Sequence, residues 1–194
     1  ASNNVAIGKD ALIANTTGAT CTAVGSVALD ANTTGVSNVA VGYAALSGNT
    51  TGGYSTAIGT YALAASAGAN NTAVGYEAMV ANTTGASNVA VGINTLLANT
   101  IGEKNVSIGQ SALTTNVAGD NSVAVGFEAL ATQNPGGSST DMYNTAVGHS
   151  AGAGVTTGDK DTFIGGLAGD AATEATNSVC VGYGTDLSAV DGNQ

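Results

Sequence analysis

A single histidine, His149, sits beside Ser150, and a hydrolytic site of the Ser-His-Asp kind needs such a pair to meet a buried acid. Adjacent residues on a strand point to opposite faces, so these two do not share a site and His149 reads as an exposed turn residue. Asp159 and Asp161 flank Lys160. That arrangement reads as a solvated acidic turn with, at best, weak cation affinity. Gly152, Gly154 and Gly158 imitate a phosphate loop only loosely, because no Lys-Ser or Lys-Thr follows and a chain with 29 glycines produces such spacings by chance. No Cys/His cluster has metal-ligand spacing, and the Gly-Gly-x-Gly-x-Asp run of calcium-binding rolls is missing. The expectation is a protein that is not an enzyme and holds no cofactor or metal.

Charge narrows the partners. Three Lys and no Arg against thirteen Asp plus Glu give a net charge of −10, which argues against nucleic acid and against an anionic membrane surface. Eight of the acids lie from Glu128 onward, so the C-terminal third is electrostatically distinct. No apolar run approaches the roughly 20 residues that a spanning helix needs. The first residues, Ala-Ser-Asn-Asn, carry neither an initiator Met nor a signal peptide, which reads as a segment of a longer chain.

What positions every one of these residues is a repeat. Gly8, Gly25, Gly42, Gly59, Gly75, Gly92, Gly109, Gly126, Gly148, Gly165 and Gly182 recur 17 residues apart, with one spacing of 16 and one of 22. Each repeat is a variant of N-x-A-V-G-x-x-A-L-x-A-N-T-T-G-x-x. A fixed period this short predicts a solenoid whose units bury their apolar side by stacking, filling residues 1–194 as one domain. Its regular coils span 1–130, an inserted loop 131–143 and degenerate C-terminal coils 144–194. Cys21 and Cys180 are nine coils apart, roughly 40 Å at about 4.8 Å per coil, so no intrachain disulfide joins them.

Aligned on the glycine, the preceding residue is always Val or Ile, the residue two earlier in the strand is Val or Thr, and a small residue stands between them. This period of two predicts a short strand with one face in a packed core and the other facing something that approaches closely. The small column comprises Ala6, Ala23, Ala40, Ala57, Ala73, Ala90, Ala124 and Ala146, with Ser107, Phe163 and Cys180 as exceptions. The glycine ends the strand at a sharp turn. Ala-Leu then recurs as at Ala28-Leu29 and Ala62-Leu63, predicting a second strand or bend, since about seven residues between turn signals are too few for a helix.

Asn15, Asn32, Asn49, Asn82 and Asn99 open the closing turn. Stacked in register, they make either an amide ladder or local turn bonds. The extra residues of the long spacing contain the only proline, Pro135, and read as a loop pushed out of one coil, either a passive bulge or, with Pro135, part of a ligand-binding surface. Beyond it the Leu column becomes Gly152, Gly169 and Asp186, which predicts a changed cross-section. Tyr43, Tyr76, Phe127, His149 and Tyr183 share the column after the glycine, with Tyr61 one position later. They form either a ligand-binding aromatic stripe or seam packing against another subunit.

The strand motif, as in Asn3-Asn4-Val5-Ala6-Ile7-Gly8, Asn38-Val39-Ala40-Val41-Gly42 and Asn121-Ser122-Val123-Ala124-Val125-Gly126, resembles the N-S-V-A-I-G repeat of trimeric autotransporter adhesin heads of the YadA-like type. The resemblance covers nearly all eleven repeats. The period departs from it, 17 residues against about 14, and the longer turn is similar to repeats of phage tail fibres and fibre-like adhesins. The resemblance implies an all-β parallel β-roll of about eleven coils, left-handed and homotrimeric, at a bacterial surface or in a virion tail fibre, projecting and binding a receptor, glycan or matrix protein. On that basis the alanine column lets three rolls approach one another while Val and Ile fill each interior, and Phe163 is a local misfit. A competing class is an ice-binding solenoid using the stacked pairs Thr16-Thr17, Thr33-Thr34, Thr50-Thr51 and Thr83-Thr84, although those columns lapse at Ala67, Val117 and Ala118.

Overall fold

The computed structural model describes residues 1–187, and residues 188–194 of the expected C-terminal coils lie outside it. Every repeat contributes one three-residue strand at the predicted Val/Thr-x-Val/Ile triplet. These are β1 (Val5–Ile7), β2 (Thr22–Val24), β3 (Val39–Val41), β4 (Thr56–Ile58), β5 (Thr72–Val74), β6 (Val89–Val91) and β7 (Val106–Ile108). After a two-residue β8 (Gly119–Asp120) come β9 (Val123–Val125), the two-residue β10 (Thr140–Asp141), β11 (Thr145–Val147), β12 (Thr162–Ile164) and β13 (Val179–Val181). Eleven of these strands form one parallel sheet in chain order, β8 and β10 pairing separately. The chain is therefore an all-β solenoid of about ten turns.

Like columns meet like across every pair, and the irregular spacings do not disturb this. Thr56 faces Thr72 across the short repeat and Val123 faces Thr145 across the long one, so length changes are absorbed in the turns. In the long repeat the insertion returns as β10, which lies parallel to β8 beyond the main sheet. Ser139 there bonds to Asp120, and Asn121 to Asp141. Pro135 is half-buried at the start of the excursion.

The Ala-Leu stretch is a bend rather than a strand or helix. In the first ten coils, residues two and four after the repeat glycine take left-handed backbone conformations, as at Tyr61 (φ 59°) and Leu63 (φ 52°), which no right-handed helix tolerates. Such residues cost about 1 kcal/mol or more each. In return Leu side chains turn inward, and their amides bond to the next coil, Leu29 N donating to Ala45 O at 2.9 Å and Leu46 N to Ala62 O at 2.9 Å. Leu29, Leu63, Met79, Leu96, Leu113 and Leu130 are fully buried.

Two buried amide columns run beside this apolar core. In the predicted one, each Asn serves both roles weighed from the sequence. Asn99 Nδ2 donates to Asn82 Oδ1 in the coil before (2.8 Å) and to Gly102 O of its own turn (3.1 Å). Ser66 takes this place in the short coil and Gln133 in the long one. The second column, immediately before each strand, escaped sequence reasoning. There Asn38 Oδ1 accepts from Ser55 N at 2.9 Å while Asn38 Nδ2 donates to Gly52 O at 2.7 Å, and Asn71, Asn88, Asn105 and Asn144 repeat the pattern. The signal was present as the first residue of the repeat, Asn four places before glycine.

Buried amides of this kind are costly to orphan. Asn99→Leu should destabilise the stack by about 3 kcal/mol, because Asn82 Oδ1 and Asn116 Nδ2 then lose a partner where no water reaches. Urea unfolding followed by circular dichroism checks this, and a loss under about 1 kcal/mol would show that the ladder is dispensable.

Departures from the repeat compensate each other across the interior. Ser107, standing in the alanine column, meets Thr95 in the facing Ala position at 2.6 Å between hydroxyl oxygens, so both polar groups are paired. Phe163 is fully buried and is no misfit. An added Cβ at Gly152 would lie 2.7 Å from Phe163 Cδ2, and one at Gly169 would lie 2.1 Å from Phe163 Cδ1. The ring therefore occupies the space that two Leu side chains fill elsewhere, and β11, β12 and β13 continue in unchanged register. Cys21 and Cys180 are both free and buried.

Candidate interaction surface

The strands expose one face, and it is the opposite of the one expected. Ala23, Ala40, Ala57, Ala73, Ala90, Ala124 and Ala146 have 0% exposure and point into the roll. Ala6 is open only because its coil is the first and is covered on one side. The alanine column is thus unavailable to another subunit. The reason is room. Leu side chains cross the interior from the facing bend, leaving space for a methyl group on the strand side, as the Phe163 exchange demonstrates.

The β-branched residues therefore lie outside. Val or Thr at the start of each strand and Val or Ile at its end form two parallel ranks, half-buried or exposed along the whole sheet. Ile7, Ile58, Ile108 and Ile164 are 60%, 41%, 40% and 43% exposed. No charged residue occurs in either rank, although the chain carries a net charge of −10. A continuous, charge-free sheet face running along eleven strands is uncommon on a free surface, where apolar patches are normally broken up.

Along one border of this face runs the aromatic column. Tyr43 and Tyr61 make an edge-to-face contact with ring centroids 5.3 Å apart at 89°, and Phe127 stacks on His149 at 5.2 Å and 16°. Tyr76 is exposed, as is Tyr183 at 81%. Tyr61 is raised above the ordinary phenol value, first by Tyr43 beside it, and Tyr76 is raised through hydrogen bonding to Glu77. The structure thus gathers the column into two pairs and two isolated rings. Pro135 lies in the insertion and joins neither pair.

The remaining sequence candidates do not converge on a reactive site. His149 is exposed while Ser150 is buried, so the two face apart, although they lie in the turn after β11, where Ser150 has φ 52°, and not on a strand. Asp159 is paired with Lys160, which lowers its carboxyl value, but Asp161 is fully buried and not part of a solvated turn. Thr16, Thr33 and Thr83 donate their hydroxyls to the carbonyls of Thr33, Thr50 and Thr100 in the next coil at 2.9, 3.0 and 2.9 Å. These threonine hydroxyls serve the stack itself. Among the described residues no group of three His, Cys, Asp or Glu is placed to hold a metal ion. Among those residues, too, no helix is long and apolar enough to cross a membrane. No family model matches the chain, and no curated protein or solved structure shows detectable similarity to it.

Proposed function

We propose that this chain is a rigid segment of an extracellular fibre, the head or stalk of a trimeric surface adhesin or a phage tail fibre, whose copies meet through the outer sheet face. The carrying observation is that face itself, two outward β-branched residues on each of eleven strands and no charge among them. Stable interfaces engage roughly 20–30 residues a side with charge depleted at their centre, which this face matches in number and character. Chains each carrying −10 repel one another, so a contact free of acids is where identical copies associate at least electrostatic cost. Strands repeated in register give each copy one continuous face, and identical copies meeting through it associate symmetrically. In this arrangement the column of Tyr43, Tyr61, Tyr76, Phe127, His149 and Tyr183 borders the seam, where it offers aromatic faces to a glycan or protein receptor.

Light scattering coupled to size exclusion tests the reading. The expected mass is three times 18.4 kDa. A Val91→Glu, Val125→Glu double variant, placing carboxylates mid-face, should run as a monomer with unchanged β circular dichroism. A monomeric parent chain would defeat the proposal.

A further inference from the structure

The column of buried residues preceding each strand contains one acid. Asp161 occupies the position of Asn38, Asn71, Asn88, Asn105 and Asn144, and it copies half of their bonding. Its backbone N–H donates to Asn144 Oδ1 at 2.9 Å, and its own Oδ1 accepts from Ser178 N at 2.8 Å. The other half fails. In each Asn, Nδ2 donates to the carbonyl fourteen residues later, at Gly52, Gly85, Gly102, Gly119 and Gly158. At Asp161 that carbonyl is Ala175 O, and the atom in the amide nitrogen's place is Oδ2, which is buried with no partner. Its placement matches in detail, lying 3.1 Å from a Cβ built on Gly158 as Asn38 Nδ2 lies 3.0 Å from one built on Gly35.

An ionised carboxylate would set an unpaired anionic oxygen in a dry interior at a point where the asparagines of the same column supply a donor. We propose that Asp161 is built into the roll as the neutral acid, its hydroxyl donating to the Ala175 carbonyl, and that ionisation of this group loosens the last coils. Burial acts in the same direction, lifting the carboxyl to about 6, with the negative charge of Asp159 adding to it. The other titratable groups around it do not relieve the charge. Cys180 in the next coil is itself raised by burial and by nearby acids, and Lys160 is paired with Asp159. Asn144 and Ser178, on either side, are neutral.

The sign is fixed by the direction in which burial moves the group. The folded chain keeps this proton to a higher pH than the unfolded chain, whose carboxyl titrates near about 4. The stability that Asp161 contributes to these coils is therefore greatest below about 4, falls as pH rises toward about 6, and stays reduced above it. Hydrogen exchange at Ser178 and the β12 and β13 amides, each rate normalised to the unstructured amide, reads this directly in the full chain and in Asp161→Asn. The variant should exceed the parent in protection by on the order of a hundredfold at pH 8, with that advantage shrinking toward pH 4. This is the change in opening equilibrium for a carboxyl that titrates near about 4 when unfolded and about 6 when folded. An advantage independent of pH, or none, would overturn the proposal. The carbon NMR titration of the parent's Asp161 carboxyl decides independently of the variant's folding: a midpoint well above about 5 supports the neutral acid, and one near about 4 refutes it.

Discussion

Replacing Gly75 by alanine is expected to cost about 4 kcal/mol or more, among the largest losses available to a single methyl group in this chain. Two effects combine. Gly75 has φ +140°, a conformation that side-chain-bearing residues rarely adopt, and a Cβ there would sit 2.3 Å from the carbonyl oxygen of Gly92. Relief requires the coils to separate, yet Gly75 N is bonded to Ile58 O at 2.8 Å on the other side. Because each coil touches only its neighbours, the damage falls at one interface and should split unfolding into two transitions. Gly137→Ala is the matched control, since nothing lies within 4 Å of its built Cβ and it should leave stability within about 0.5 kcal/mol. Calorimetry of both variants checks the pair, and equal small effects would mean that the coils are not in close contact at the glycine column.

Removing the ring of Phe163 should cost about 3–5 kcal/mol, the range for emptying a fully buried aromatic site. The more telling outcome is its rescue. Gly152 and Gly169 lack side chains where other coils have Leu, and their φ values of +61° and +64° are close to those Leu29 and Leu63 adopt (53° and 52°). Phe163→Ala combined with Gly152→Leu and Gly169→Leu therefore rebuilds the regular coil on a backbone already shaped for it, and most of the lost stability should return. Gly169→Leu alone should be as damaging as Phe163→Ala, because its Cβ would lie 2.1 Å from the ring. Guanidinium unfolding of the single and triple variants measures the coupling, and additive losses would show that the three positions do not share one space.

The period, the strand triplets and the turn glycines were all legible in the chain, because a solenoid bonds each residue to its own equivalent one coil away. In-register stacking leaves little freedom once the repeat is known, so Thr56 pairs with Thr72 and Val123 with Thr145 despite unequal spacings. The Asn ladder at Asn82 and Asn99 followed for the same reason. What the period left open was the direction in which each strand faces. Alternation marks two faces as different without saying which is inside, and Val or Ile is ordinarily the better core residue. Tertiary structure decided it through volume. Left-handed residues such as Leu29 and Leu63 swing large side chains across a thin interior, so the strand side admits Ala23 or Ala57 and sends Val24 or Ile58 outward. The same closure buried Asp161, four places before Gly165 in the asparagine column, where its flanking acid and lysine make it look like one acid of a polar turn. Sequence alone determined the repeat and its register, and the width of the folded coil determined which columns became core and which became surface.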